Sequence, residues 1–392
     1  MLGAMVFHAA SRSALPGAFL LSLLLPLLSC SPPAHRALYY WKTTQGPSRA
    51  EITMADMLGA DRLYVRMFDV DAVGVATPAL TFSAEERGSW THGGAREVIP
   101  VVYIVNDALL RKGFQPADSA RTLVAGVSRL WASDGSSWNE LQIDCDWTPS
   151  SRGAYFELLQ NLGRRLHAEG KTLSATIRLH QVRDRRLTGV PPVDRGMLMA
   201  YNLLPPDNAG ERSSILDNDE LAAYLASMKS YPLPLDAALP VFSWVAQWEG
   251  QRLIGLIDDA GAAAEVAGSG FARIGTDRFE ARARGSLAGR SVEKGDVLVI
   301  DRPGPRTVRE AAVMLRAALR SEARSVALFH LDADTVNSFS GGDNAQIEGL
   351  YAVLGAGRGR GFPAPRLRTR ALGRRGGLRR ERSTGLFLVV PG

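Results

Sequence analysis

Eight short apolar runs recur along the chain, each ending on polar or aromatic residues, and few folds can use that pattern. The runs span 38–43, 62–71, 98–106, 140–148, 172–181, 196–202, 237–246 and 325–334. Helical patterns lie between several of them, at 49–58, 117–131, 152–168, 217–229 and 308–322. In the stretch 152–168, Tyr155, Leu158, Leu159, Leu162 and Leu166 fall at three-to-four spacing, which puts one apolar stripe on one helix face. Strands alternating with helices predict parallel pairing. Eight such units predict an α/β fold, a (β/α)8 TIM-type barrel over 38–354, whose functional groups come from the C-terminal strand ends.

The strand ends carry Trp41 and Lys42; Asp69 and Asp71; Asn106 and Asp107; Asp144 and Asp146; Arg178, His180 and Gln181; Tyr201 and Asn202; Ser243 and Trp244; and His330, Asp332 and Asp334. Structural charges would scatter along strands, so this bias toward one end argues for a cleft. In the fourth run, LQIDCDWT, alternation puts Leu141, Ile143, Cys145 and Trp147 on one face and Gln142, Asp144, Asp146 and Thr148 on the other. Covered carboxylates need partners or a task. The competing reading is an interior ion-pair cluster without chemistry. In the fifth run Ser174, Thr176, Arg178 and His180 make an inward polar row. Arg178 is expected to pair with Asp144 and keep it ionised, leaving Asp146 freer to meet a ligand. The stretch from about 249 to 306 is too long for a simple connection and is expected to hold a small inserted β subdomain.

The ends of the chain speak about location. Arg12 precedes an apolar run from Ala14 to Leu28, interrupted by Pro16 and Pro26 and too short for a comfortable membrane span. The run closes on LLSC, the pattern of a bacterial lipobox. Residues 1–29 are therefore expected to be a signal peptide, Cys30 the lipidated residue and 30–37 a tether at the cell envelope, in the outer membrane where the cell has two membranes, because Ser, not Asp, follows the Cys. With Cys30 acylated, Cys145 is the one remaining thiol, and no intramolecular disulfide can form. The net charge of +6 is concentrated at the other end, where 355–392 hold ten Arg and one Glu, leaving the rest at −3. This Gly-, Pro- and Arg-rich tail is expected to be disordered. With no aromatics but Phe362 and Phe387 interleaved for base stacking, nucleic acid is not an expected partner.

Paired acids, aromatic strand ends and export together point to a saccharide. Sugars stack on rings while hydrogen bonds fix their hydroxyls, and glycosidic cleavage uses carboxyl groups. Asp146, Asp144, Asp332 and Asp69 are the candidate acids, with Asp146 the chief one. Trp41, Arg178, His180, Tyr201, Asn202, Trp244 and His330 are the candidate binding residues, and Trp147 and Trp248 are further rings near strand ends. His180, His330, Asp332 and Asp334 could in principle hold a metal, but the first strand lacks the His pair that barrel metallohydrolases need and no zinc spacing is present, so neither metal nor cofactor is expected. Ser243 has no Gly-x-Ser-x-Gly elbow.

The fourth run resembles that of the family 18 chitinases, and Met199, Ala200, Tyr201 and Asn202 are similar to their Met-x-Tyr-Asp. The resemblance implies that Asp144 and Asp146 match the alternating acids and that Tyr201 matches the tyrosine supporting the substrate's acetamido group. Two positions depart from it: Thr148 stands where those enzymes carry the proton-donating Glu, and Leu141 where they carry the first Asp. Over 39–334, the stretches YYWKT, LYVRMFDVD, IDCDWT, SATIRLHQ, GVPPVDRG, LMAYN and YPLPLDAALPVFSW resemble an uncharacterised family of bacterial predicted lipoproteins, defined only as a domain of unknown function. That resemblance implies a glycosidase-like barrel at the cell envelope. Two functions are expected from these readings: hydrolysis of an envelope or extracellular saccharide, or non-catalytic glycan binding or envelope assembly after loss of the acid.

Overall fold

The computed structural model describes residues 33–43, 45–72, 80, 82–131, 138–206, 212–258, 261–268, 270–319 and 324–362. The expected signal peptide and Cys30 lie outside them, as does the tail beyond Phe362. Eight parallel strands close into a barrel: β1 (His35–Tyr40), β2 (Arg62–Val70), β3 (Glu97–Ile104), β4 (Glu140–Asp144), β5 (Thr172–Arg178), β6 (Arg195–Met199), β7 (Leu235–Pro240) and, after an insertion, a closing strand, Ser325–Phe329, that pairs with both β7 and β1. Helices connect successive strands, as the alternating pattern predicts.

Local chemistry sets several boundaries. Ser48 caps the helix Arg49–Met57 in a reciprocal capping box with Glu51, and Asp217 caps Asn218–Leu225. The helix Arg152–Ala168 buries Tyr155, Leu158, Leu159, Leu162 and Leu166, the stripe read from the sequence. The barrel strands are shorter than the apolar runs. β4 stops at Asp144 and β5 at Arg178, so His180 belongs to the short helix Leu179–Arg183 and leaves the inward row expected of it.

The run expected as one strand over 237–246 is two. β7 ends at Pro240, which has no N–H for a ladder, and Trp244–Glu249 (β8) turns away as the first strand of a separate antiparallel sheet. That sheet continues with β9 (Arg252–Ile257), β10 (Phe271–Gly275) and β11 (Arg278–Ala281); a hairpin, β12 (Gly285–Leu287) with β13 (Arg290–Val292), precedes its last strand, β14 (Val297–Asp301). The sheet order is β10-β11-β14-β8-β9. The closing barrel strand is thus β15. The inserted sheet begins at Trp244, upstream of the expected boundary near 249. One face packs Val245, Phe279, Leu298 and Ile300 with the helix Ala262–Gly268.

The C-terminal boundary also shifts. Ala356 bridges to Ala34, Arg358 pairs with Glu348, and Phe362 is buried, stacked on His92 at 4.5 Å under the Arg96 guanidinium. Residues 355–362 are therefore a strap on the body, where a disordered tail from 355 was expected. Arg358 also gives a guanidinium N–H to the Met57 carbonyl at 2.8 Å, so the strap is held by partners distant in sequence. Among the described residues, no helix is long and apolar enough to cross a membrane.

Candidate functional site

Most of the polar residues predicted at strand ends gather at the C-terminal mouth of the barrel, and Asp69, Asp144, Asp146 and Asp332 each have a base near them. Asp144, 2% exposed, accepts from the Thr176 hydroxyl at 2.5 Å and lies 3.5 Å from the outer nitrogen of Arg178. Asp146, two residues nearer the mouth with its side chain 41% exposed, takes the Nε–H of Arg178 in a close ion pair. The expected division is thereby reversed: Arg178 reaches furthest toward the acid nearer solvent and touches the buried one only with its far nitrogen. Burial raises the pKa of Asp144 first of all, and the like charge of Asp146 pushes the same way. Arg178 and the Thr176 hydroxyl pull down without offsetting them. The buried acid is held toward its protonated form, against the expectation that Arg178 keeps it ionised.

Asp69 is clasped by Arg66 through both carboxylate oxygens, with Nε to Oδ1 at 2.6 Å. Residues three apart on a strand face opposite ways, but a register shift between Arg66 and Phe68 against β3 restores the pair to one side. Arg66 also lies 4.9 Å over the Trp41 ring and 5.0 Å over Tyr103. Asp332 caps the helix Ala333–Ser340 through the Thr335 N–H and takes Lys42 at 2.7 Å; Lys42 also reaches Glu51. Burial alone would raise the Asp332 pKa, yet Lys42 and the cap hold it below the usual carboxylate range. His330 is buried beside them, and its Nδ1 finds no partner among the described residues.

The rings form a continuous wall. Trp41, half-buried, meets Tyr103 and Phe329 edge-on or tilted at 6.4 and 5.5 Å. Tyr201 packs on Phe329 at 5.2 Å and Phe242 at 5.7 Å, and Phe242 leads to Trp244 at 5.6 Å. Tyr201 also faces Arg178. Trp244 is buried as the first residue of the inserted sheet, where a cavity of about 320 Å³ is lined by it, Trp248, Ser213, Asp301, Arg212 and Arg302. Asn202 is exposed, with a left-handed φ of 55°, and His180 is exposed. Trp147 lies on the outward face, stacked on Tyr155 at 5.1 Å, its indole N–H given to the Thr188 carbonyl.

Sequence reasoning missed Arg66 and Tyr103. Tyr103 pairs in register with Asp144 across β3 and β4, and the period-two alternation of β3 could have found it. Arg66 was hidden by the bulge. At position 148 the Thr hydroxyl is engaged with Ser150 at 2.8 Å, and the Ser151 hydroxyl donates to Asn106 Oδ1 at 2.6 Å. A hydroxyl with an ordinary pKa far above neutrality cannot protonate a leaving group as a carboxylic acid does. Among the described residues, no three His, Cys, Asp or Glu side chains are grouped to hold a metal ion.

Solved structures with the same fold include chitinases and a spore cortex-lytic enzyme. The chain matches a chitinase from Chromobacterium violaceum with a TM-score of 0.52 at 17% identity, covering 82% of this chain and 98% of that one. A class V chitinase from Pseudomonas fluorescens gives 0.51 at 15%, covering 82% and 98%. The spore cortex-lytic enzyme SleL of Bacillus megaterium gives 0.50 at 13%, covering 78% and 73%. The fold is a chitinase-like TIM barrel with an insertion between the seventh and eighth strands. No protein-family model and no curated protein matches the chain, so membership of the uncharacterised lipoprotein family has no match to rest on.

Proposed function

We propose that this protein binds a saccharide at the barrel mouth without cleaving it. The observation that carries the reading is the state of the acids: Thr148 replaces the donor, and Asp69, Asp146 and Asp332 are each held by a basic side chain while Asp144 is buried. Paired-acid hydrolysis needs one carboxyl that both holds a proton and reaches the leaving oxygen. Asp144 is buried and Asp146 is tied to Arg178, so neither stands free to do both. The rings and hydrogen-bonding groups that bind sugar are unaffected by this loss: Trp41, Tyr103, Tyr201 and Arg178 still line one mouth. Hydrolysis with Asp146 as chief acid is the rival outcome, and the raised pKa of Asp144 is what speaks for it.

The likeness to chitinases and a cortex-lytic enzyme makes N-acetylated glycans the first ligands to test. Titration calorimetry with chitin oligosaccharides and soluble peptidoglycan fragments should give binding, while reducing-end assays on the same samples stay at background. Trp41→Ala should weaken binding at least tenfold. Release of reducing ends that Asp146→Asn abolishes would restore the hydrolase reading. For location, the LLSC pattern supports a lipid anchor at Cys30 on the envelope. Stable anchoring takes more than one acyl chain, which lipoprotein maturation supplies. Cys30→Ala should move the protein from the membrane to the soluble fraction, and retention in the pellet at wild-type level would end that reading.

A further inference from the structure

The two ring nitrogens of His330 have different surroundings. His330 follows Phe329, the last residue of β15, where that strand meets both its neighbours at the mouth: the Phe329 carbonyl accepts the Val241 N–H just beyond β7, and the Leu331 N–H donates to the Tyr39 carbonyl of β1. The His330 ring meets the Phe329 ring edge-on at 5.3 Å, and Phe329 in turn touches Trp41, Tyr201 and Phe242. The imidazole is therefore a polar group set against the row of rings. It is 9% exposed. Nδ1 is sealed from solvent without a hydrogen-bond partner, whereas Nε2, also unbonded among the described residues, keeps accessible surface. The nearby charges are engaged with one another: Asp332 takes Lys42 and the Thr335 N–H, and Lys42 also takes Glu51. Neither nitrogen of His330 enters that network, so structural pairing does not account for an imidazole at this position.

The asymmetry selects a tautomer. A neutral imidazole carries one N–H and one lone pair. With the proton on Nδ1, an N–H would be buried without an acceptor, and an orphaned N–H is rarer in native interiors than an orphaned acceptor. The proton therefore belongs on Nε2, which makes the ring a donor toward accessible space. We infer that His330 is a ligand-binding residue that gives its Nε2–H to an acceptor oxygen, a hydroxyl or an acetamido carbonyl, of the saccharide held at the mouth. The inference rests on the saccharide reading and adds to it the atom, the tautomer and the direction of the bond. A sugar needs rings for its apolar face and, beside them, a few fixed polar groups that set its orientation. A ring packed on Phe329 and nearly buried has little freedom left to lose when the ligand arrives, so the bond costs little in ordering.

Substitutions separate the two nitrogens by reach. The amide nitrogen of Gln stands as many bonds from the backbone as Nε2, and that of Asn as many as Nδ1. Titration calorimetry with tetra-N-acetylchitotetraose and with soluble peptidoglycan fragments should find His330→Gln within about threefold of the wild-type chain. His330→Asn and His330→Phe should bind more weakly by about tenfold, the effect of leaving a polar partner unpaired. Phe keeps a ring against Phe329 while removing both nitrogens, so a wild-type melting temperature in that variant separates lost binding from lost fold. A second readout needs no glycan: nitrogen-15 NMR of labelled histidine in the ligand-free protein should show His330 as the Nε2–H tautomer, its signal identified by its loss in His330→Gln. An Nδ1–H tautomer, unchanged affinity in His330→Phe, or affinity in His330→Gln no tighter than in His330→Asn would each overturn the inference and leave saccharide binding in place. A wild-type chain that binds neither the tetrasaccharide nor the peptidoglycan fragments would overturn the saccharide reading itself.

Discussion

The base and the mouth of this barrel are both rich in carboxylates, and in both nearly every one is matched by a base. At the base Asp236 takes Arg195 at 2.8 Å and the backbone N–H groups of Arg324 and Ser325, while Glu140 takes the Ser174 hydroxyl at 2.5 Å. At the mouth Asp69, Asp146 and Asp332 take Arg66, Arg178 and Lys42. Paired acids therefore do not separate a site from scaffolding. What the mouth has and the base lacks is a part-exposed acid, Asp146, beside the half-buried rings Trp41 and Tyr103, behind which Phe329, Tyr201 and Trp244 continue the ring row into the core. The proposed reading, a mouth that holds a ligand without moving a proton, has to answer to this comparison.

The largest effect should come from the base. Asp236→Ala strips a buried acid from Arg195 and orphans two backbone donors, so about 3–5 kcal/mol of stability should be lost in urea unfolding. At the mouth the matching change is small: Asp146 is 41% exposed, and Asp146→Asn should cost less than about 1 kcal/mol once solvent screening is counted. Equal losses would erase the distinction between the two ends.

Truncation comes next. A chain ending at Gly357 loses the Arg358–Glu348 pair and the buried Phe362, and about 1–3 kcal/mol is expected to go with them. A chain ending at Phe362 should melt within a degree or two of the full chain, since the whole strap is retained. A cooperative loss in the second truncation would place part of the fold beyond Phe362.

The smallest effects are on pH dependence, and the signs differ. The folded pKa of Asp332 is lowered, so its stability contribution is present above the unfolded carboxylate pKa of about 4 and lost as pH falls through the folded value. Asp332→Asn should flatten the acid limb of a stability–pH curve. Glu140 and Asp144 are raised, burial being the largest cause for each; their contributions are complete below about pH 4 and are lost as pH rises through the folded values. Glu140→Gln at the base and Asp144→Asn at the mouth should both flatten the opposite limb. If Asp144→Asn instead flattens the acid limb, Arg178 does hold that acid ionised.

How much of this was written in the sequence depends on range. The helix Arg152–Ala168 was legible to the residue because its apolar stripe is local. All eight barrel strands were legible in place, but their ends were overrun, because apolar alternation continues past the last ladder bond at Asp144 and Arg178. Pro240 was the available sign that the seventh run breaks, and Trp244 accordingly belongs to the inserted sheet. The pairings were not legible. Lys42 meets Asp332 only because the first and last strands close the barrel, and Arg66 meets Asp69 only because of a bulge. Such partners are fixed by register and closure, which no local pattern encodes.

The most direct test of the account is a side-by-side assay of the wild-type chain and Thr148→Glu on one bound N-acetylated glycan. Position 148 is where the mouth lacks its acid. The account predicts that the wild-type chain binds the glycan and releases no reducing ends, and that Thr148→Glu binds it with affinity within a few-fold and begins to release them. Turnover by the wild-type chain at a rate the substitution does not raise would contradict it.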